Sequence, residues 1–498
     1  MTTEQFSHRF ANPLSSNRVL PSPEESLIRS TYWQTDSIIS SLDIQIDKLL
    51  LERRNFCDYR QMLANLLSPV RFLPPELLGE IFRYCLPQDY DEAGAHKAVM
   101  LPSHVCKRWR DVAFSTPALW TTTVLHVTDE TLESRAALVT AWLSRSGSLP
   151  LSFTLTGRGN VLPILDFLLQ HCARWKYINL SVPLEMLRCL KEAKGHLQRL
   201  ETMEIDVRDM HGTPPYWVEQ IFESAPRLRK VLLSCRFIWN GLNGSWAQLT
   251  ELDGHCVSYT VGDCLTLLQT ARNLHKLRVH IDGEVVEENH RLIFSHPLVS
   301  LDVGGTSARW MLFDSITLPN IHDLSVGEIA YESPLSQFIS FLTRSSSPLR
   351  SFSFGVEANF NELWDNKIVQ ILQHTPSLHS LCLSYQWPYS CLGRSSIFAQ
   401  LSPHNKEVDC LIPNLNTISI KVANQFVTPD YQALKEMILE RRSMFQSTNP
   451  WDTVCEPIQK VIVECFDDCV CDRELWYGKV SAILAPVPIA DMVQIVMY

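Results

Sequence analysis

Between Ile39 and Leu67 apolar residues return in alternating steps of three and four. Ile39, Leu42, Ile46, Leu49, Phe56, Leu63 and Leu67 fall on a and d heptad positions, which places them on one stripe of a helix. The pattern predicts an amphipathic helix over 37–68. The remaining a positions hold Arg53 and Arg60. A cation weakens a two-helix seam, so the stripe is expected to pack on its own chain rather than on a second copy. Residues 1–36 are rich in Ser, Pro, Asn and Thr with little periodicity and read as a disordered tail.

Past Leu67 the apolar pattern shortens. The stretch LSPVRFLPPELLGEIFRYCLP is followed by an acidic, small-residue segment, Gln88–Ala98, and then by VMLPSHVCKRWRDVAFSTPALW. Pro74-Pro75-Glu76 reads as a helix opening. Proline costs nothing where the amide would be unpaired anyway, and Glu76 suits the positive end of the dipole. Leu77, Leu78, Ile81, Phe82 and Cys85 then cover a broad apolar face until Pro87 stops the helix. A second helix is expected from about Ser103 to Phe114. It carries Val105, Cys106, Trp109, Val112 and Ala113 on one face and Lys107, Arg108, Arg110 and Asp111 on the other. Thr116-Pro117 breaks it, and Leu119-Trp120 returns to the core. So few short helices bury little by themselves, and a partner or an attached domain is implied.

From residue 121 to 427 a unit apolar-x-x-apolar-x-apolar recurs, beginning at Leu197, Leu228, Leu249, Leu274, Leu298, Ile321, Leu349, Leu378 and Leu415. Pro226, Pro297, Pro319, Pro348, Pro376 and Pro413 lead into six of the units. The mean spacing of about 27 residues lies in the range of leucine-rich repeats. Each unit supplies a short strand with alternate side chains inward. Segments such as YWVEQIFESA, CLTLLQTA, LSQFISFLT and KIVQILQHT read as intervening helices, and KYINLS and PLSFTL as two earlier strands. Stacked strand–helix units form an α/β solenoid. Within the unit one residue points away from the core: Glu204, Leu232, Asp253, Arg278, Asp302, Ser325, Ser353, Cys382 and Ser419. Residues 428–498 hold a charged helix, YQALKEMILERR, a strand, IQKVIVECF, and a last helix and edge strand. Together they read as a C-terminal cap.

Composition narrows the function. The 498 residues carry 44 basic and 54 acidic side chains, a net charge of −10. A broad basic surface for nucleic acid is not expected. No stretch is apolar enough for a membrane span. The N-terminus has no secretory pattern, and the 15 cysteines include no Cys-x-x-Cys pair, which suggests a reducing cytoplasmic or nuclear setting with free thiols. Cys465, Cys469 and Cys471 lack a fourth ligand at metal-site spacing. No nucleotide, zinc-protease or serine-hydrolase motif occurs, and Gly304-Gly305 reads as a turn. No catalytic residue, metal or cofactor is expected. Strand–helix alternation alone also fits a doubly wound α/β enzyme.

LPPELLGEIF followed by VCKRWRDVAFSTPALW resembles an F-box, in the F-box-like form abundant in mushroom-forming fungi, over 69–120. The later units resemble the irregular leucine-rich arrays found behind F-boxes. The asparagine such arrays place three residues after the third apolar position is absent. Those places hold, for example, Arg236, Thr306, Gln386 and Ala423, so the turns must be satisfied otherwise. The resemblance implies a non-catalytic adaptor of a cullin–RING ubiquitin ligase. Leu73, Pro74, Glu76, Leu77, Ile81, Phe82, Val105, Cys106 and Trp109 would dock on a Skp-type adaptor, and the repeats would bind a protein target. Apart from the resemblance, Arg229, Arg236 and Arg278 belong to an early basic cluster that reads first as a solvated rim and second as a place where an acidic or phosphorylated segment of the target would dock. The alternative is an interaction scaffold without ubiquitin transfer.

Overall fold

A computed structural model describes residues 21–86, 98–207, 225–234, 246–283, 293–329, 333–346, 348–356, 362–385, 397–402, 411–422, 430–445, 455–465, 480–481, 483–484 and 493–497. The chain divides into two compact units, Met1–Ile81 and Phe82–Tyr498. The Gln88–Ala98 insert lies outside the described residues except for Ala98.

The first unit is dominated by helix α1, Ser22–Leu66. The expected tail is therefore corrected over 22–36, which is helical. Pro21 is extended, proline occupies the first turn and Glu24 and Glu25 sit at the positive end. The polar residues that suggested a tail serve the helix. Glu25 pairs with Arg29 at 2.9 Å. The Thr31 and Thr35 hydroxyls donate to the carbonyls of Leu27 and Thr31. At the far end Arg71 Nε donates to the Asn65 carbonyl at 2.8 Å. No residue of α1 is buried, which also corrects the expectation that its stripe packs on its own chain. A 3-10 turn, Pro69–Phe72, and α2, Pro75–Tyr84, follow. The Leu78 amide donates to the Pro74 carbonyl, so the double proline opens the helix as expected.

In the second unit the expected helix over 103–114 is two pieces. Leu101–His104 is a 3-10 turn, and α3 runs Lys107–Ser115. Cys106 separates them in extended conformation. Its sulfur accepts the Trp109 amide at 3.5 Å, an N-cap that makes Cys106 a helix start rather than a helix-face residue. The turn Pro117–Trp120 delivers Leu119 and Trp120 into the core. There Trp120 Nε1 donates to the Ala113 carbonyl at 2.8 Å.

Fourteen strands then form one sheet: β1 Thr122–Val127, β2 Leu151–Gly157, β3 Trp175–Ser181, β4 Thr202–Asp206, β5 Lys230–Leu233, β6 Glu251–Tyr259, β7 Lys276–Ile281, β9 Ser300–Gly305, β11 Asp323–Ile329, β12 Ser351–Val356, β13 Ser380–Tyr385, β14 Thr417–Val422, β15 Lys460–Cys465 and β16 Val493–Met497. Short β8 (Phe294–Ser295) and β10 (Ile316–Thr317) pair separately. Every described pairing is parallel, for example β1 with β2 and β15 with β16, and the strands lie in chain order. A doubly wound sheet reverses its order at a switch point; this one does not. β15 and β16 continue the same sheet through the segment read as a cap.

Most strands of the sheet alternate buried residues with half-buried or exposed ones. Leu151, Phe153 and Leu155 are buried in β2, and Ile418, Ile420 and Val422 in β14. Helices such as α4 (Leu132–Arg145), α5 (Leu162–Leu169), α6 (Val261–Thr270), α7 (Arg309–Ser315), α8 (Leu335–Ser345) and α9 (Glu362–Gln373) run between strands and bury their apolar faces. Thr260 and Asp263 start α6 with a reciprocal capping box. Trp310, Phe313, Phe338, Phe341 and Phe352 interlock with ring centroids 4.9–6.1 Å apart. The YWVEQIFESA helix lies outside the described residues apart from Ala225.

Side chains also tie successive turns together. Side chains of one lead-in turn donate to carbonyls of the turn before it: Gln248 to Ala225, Asn273 to Ala247, His296 to Ala271 and Ser377 to Leu349. Arg441, with no exposed surface, donates to the carbonyls of Leu401, Ile412 and Leu415. Arg309 donates to those of Gly305, Thr306 and Glu328. Gly305 has φ +109°, and a Cβ there would strike the Ile281 backbone, so only glycine fits.

Candidate partner-binding surfaces

Docking residues proposed from the sequence separate into core and surface. In the first unit, Leu78 is 1% exposed, whereas Leu77 and Ile81 in the same arc of α2 are 54% and 44% exposed. Pro74 and Glu76 are exposed and Leu73 half-buried. In the second unit Phe82 is 2% exposed, its ring 5.0 Å from that of Trp109. Phe82 is thus corrected from a docking residue to a core residue. Val105 is 61% exposed, Cys106 is exposed and Trp109 half-buried. Sequence reasoning missed Phe72, Tyr84 and Leu101, all exposed. Leu101 stands two residues before the buried Ser103, and its place just ahead of Pro102 was the available cue. In each unit such exposed apolar side chains mark a candidate interaction surface.

The rest of the second-unit portion is rigid. Arg145 of α4 lays its guanidinium over the Phe114 and Trp120 rings at 4.2 and 4.5 Å. Arg110 Nε donates to the Ser103 carbonyl at 3.0 Å, and Thr116 to the Val112 carbonyl at 2.7 Å. These contacts fix the turn that presents Val105 beside the start of α3.

The second surface is the open side of the sheet. The nine residues expected to point outward, Glu204 to Ser419, are consecutive register partners across nine strands, and Arg278 is exposed while the other eight are half-buried. The row changes character along its length. Asp253, Arg278 and Asp302 carry charge at one end, and Ser325, Ser353, Cys382 and Ser419 are small and uncharged at the other.

Part of the basic cluster is already paired. Arg278 lies between two carboxylates, Asp302 at 2.9 Å and Asp253 at 3.5 Å. Opposite charges in register on adjacent strands attract, and this pairing corrects Arg278 as a ready receptor for an anion. Lys230, next to Arg229, pairs with Glu251 at 2.9 Å. Arg229 is exposed, and Arg236 lies outside the described residues.

Next to the charged end, the C-terminal ends of β1–β4 border a cleft of about 700 Å³. Its wall includes one polar row: His126 Nδ1 meets Thr156 Oγ1 at 2.8 Å, and Ser181 Oγ donates to Asp206 Oδ2 at 3.0 Å. Asp129 and Arg158 complete it. Close by, Asn179 donates to Glu204 Oε2 at 2.6 Å. Burial raises the Glu204 carboxyl above its ordinary range, with a hydrogen bond from Tyr177 opposing.

Among the described residues no group of three or more His, Cys, Asp or Glu side chains is placed to hold a metal ion, and no helix is long and apolar enough to cross a membrane. Cys469 and Cys471 lie outside the described residues. Cys172 and Cys264 are buried thiols whose pKa desolvation raises. Cys455 is disulfide-bonded, a departure from uniformly free thiols.

Residues 70–126 match the family model described as F-box-like. The match takes in both portions carrying the exposed side chains and reaches into β1. No curated protein matches the chain.

Proposed function

We propose that the chain is a non-catalytic, substrate-recruiting adaptor of a cullin–RING ubiquitin ligase. In this reading Leu73, Pro74, Glu76, Leu77, Ile81, Val105, Cys106 and Trp109 dock on a Skp-type adaptor, and the open side of the sheet holds a protein target. The observation that carries it is the F-box-like match over 70–126 coinciding with exposed Leu77, Ile81 and Val105. Interfaces draw their affinity from a few such apolar anchors. The chemistry needed from the chain is positional: tethering raises the local concentration of target lysines at the ubiquitin-loaded enzyme.

We read the sheet region as an irregular leucine-rich-repeat solenoid of the kind found behind fungal F-boxes. Chain-order parallel strands and turn-to-turn hydrogen bonds that recur from unit to unit support it. A cytoplasmic or nuclear location, without nucleic-acid or membrane partners, follows from the same reading.

The test is affinity purification of the full chain with the proteasome blocked. Recovery of a Skp-type adaptor and a cullin, with ubiquitin conjugates on a third protein, is expected. Recovery of the adaptor without a cullin would replace the proposal with its alternative, an assembly scaffold.

A further inference from the structure

Helix α1 spans about 67 Å, yet none of its residues is buried. Ile39, Leu42, Ile46, Leu49, Phe56, Leu63 and Leu67 are each exposed, from 42% to 74%. They occupy one continuous seam. A long helix with an uncovered apolar stripe gains most of its stability from packing that stripe, so the seam has an occupant.

The residues themselves select which one. With Ile39 at a and Leu42 at d, Ile46 is the next a and Leu49 the next d. β-Branched residues at a with leucine at d favour parallel two-stranded coiled coils. The objection is that Arg53 and Arg60 also stand at a. In a parallel, in-register pair each a side chain packs beside the partner's preceding g position. Those positions are Glu52 and Tyr59. Glu52 supplies an opposite charge for Arg53, and Tyr59 supplies a ring face for Arg60. A parallel, in-register copy of the first helix thus offers both cations a complementary group.

We propose that α1 is the dimerisation element of the protein, forming a parallel, in-register coiled coil with a second copy of the chain through Ile39–Leu67. The two arginines fix register at a cost in affinity, as polar a residues do.

The experiment is sedimentation equilibrium of the full chain at micromolar concentration, combined with disulfide trapping. Twice the 57.0 kDa chain mass is expected for the wild type, and the single-chain mass for L42E/L49E. R53L/R60L should tighten the dimer at least tenfold, an effect that no loss of folding can imitate. Under mild oxidation Leu49→Cys, in the seam, should give a covalent dimer, and Asp47→Cys, outside it, should not. A single-chain mass for the wild type, or a dimer unaffected by both seam variants, overturns the proposal. A dimer that Leu49→Cys fails to trap is not parallel and in register, and overturns it equally.

Discussion

Helix α1 and the strands of the sheet advertise their apolar faces with equal clarity, one with a period of seven and the other with a period of two. They end in opposite states. Val231, Leu277, Leu301 and Leu383 are buried, while Leu42, Leu49 and Phe56 face outward. Periodicity identifies which side of an element is apolar. It does not say whether the same chain supplies the cover. In the sheet several strands are followed by a helix with a buried apolar face, as β2 is by α5, whereas no residue of α1 is buried.

Several substitutions sharpen that contrast. The largest effect is expected at Phe338, buried among Phe313, Phe341 and Phe352. Phe338→Ala should cost about 3–5 kcal/mol of folding stability, read as a lower urea midpoint. Phe56→Ala in α1 removes the same ring and should leave the unfolding of the sheet unchanged. An equal drop for both would erase the distinction between covered and uncovered faces.

Next in size is Arg441→Leu. The side chain is fully buried, and desolvation lowers its pKa to about 10, but it satisfies three carbonyls. Leaving them without donors should cost about 2–4 kcal/mol in the same denaturation assay, although leucine is the more apolar residue.

A smaller, pH-dependent effect belongs to His296. It is 1% exposed, and desolvation lowers its pKa below the ordinary 6.5. The neutral ring meets the Ala271 carbonyl through Nε2. The unfolded state therefore binds the proton more readily than the folded state, so stability present above pH 6.5 declines as pH falls through that value. His296→Gln should flatten this decline in thermal melts recorded between pH 7.5 and 5. The least effect is expected at Glu204, whose carboxyl is raised by burial. There the sign reverses: the folded state holds the proton more tightly, and stability is lost as pH rises through the raised value. Glu204→Gln should make the melting temperature slightly less dependent on pH between 4 and 7.

The outward row was legible residue by residue, because a period of two fixes the facing of every strand position once the unit is aligned. The later helices, such as α6, α8 and α9, were legible through their long apolar faces. Strand β1 and the seven-residue α7 were not, because so short a run carries little periodic information. The start of α1 at Ser22 was hidden by polar residues, among them Thr31 and Thr35, whose hydroxyls fold back on the helix. The division of docking from core residues was illegible for a different reason. Leu77, Leu78, Ile81 and Phe82 are all apolar and fall within one broad arc of α2. Which side is covered depends on segments distant in sequence, as Phe82 beside Trp109 illustrates. Arg278 read as part of a patch because the carboxylates opposite it, Asp253 and Asp302, lie on other strands.

The central claim is that the exposed apolar side chains of the F-box-like portion exist for an adaptor. Calorimetric titration of the full chain with a purified Skp-type adaptor tests it most directly, comparing the wild type with L77A/I81A and checking the urea midpoint of both. The account predicts that the wild type binds, that the double variant binds at least tenfold more weakly, and that the midpoint is unchanged because both residues are exposed. No binding by the wild type, or equal binding by the variant, would contradict it.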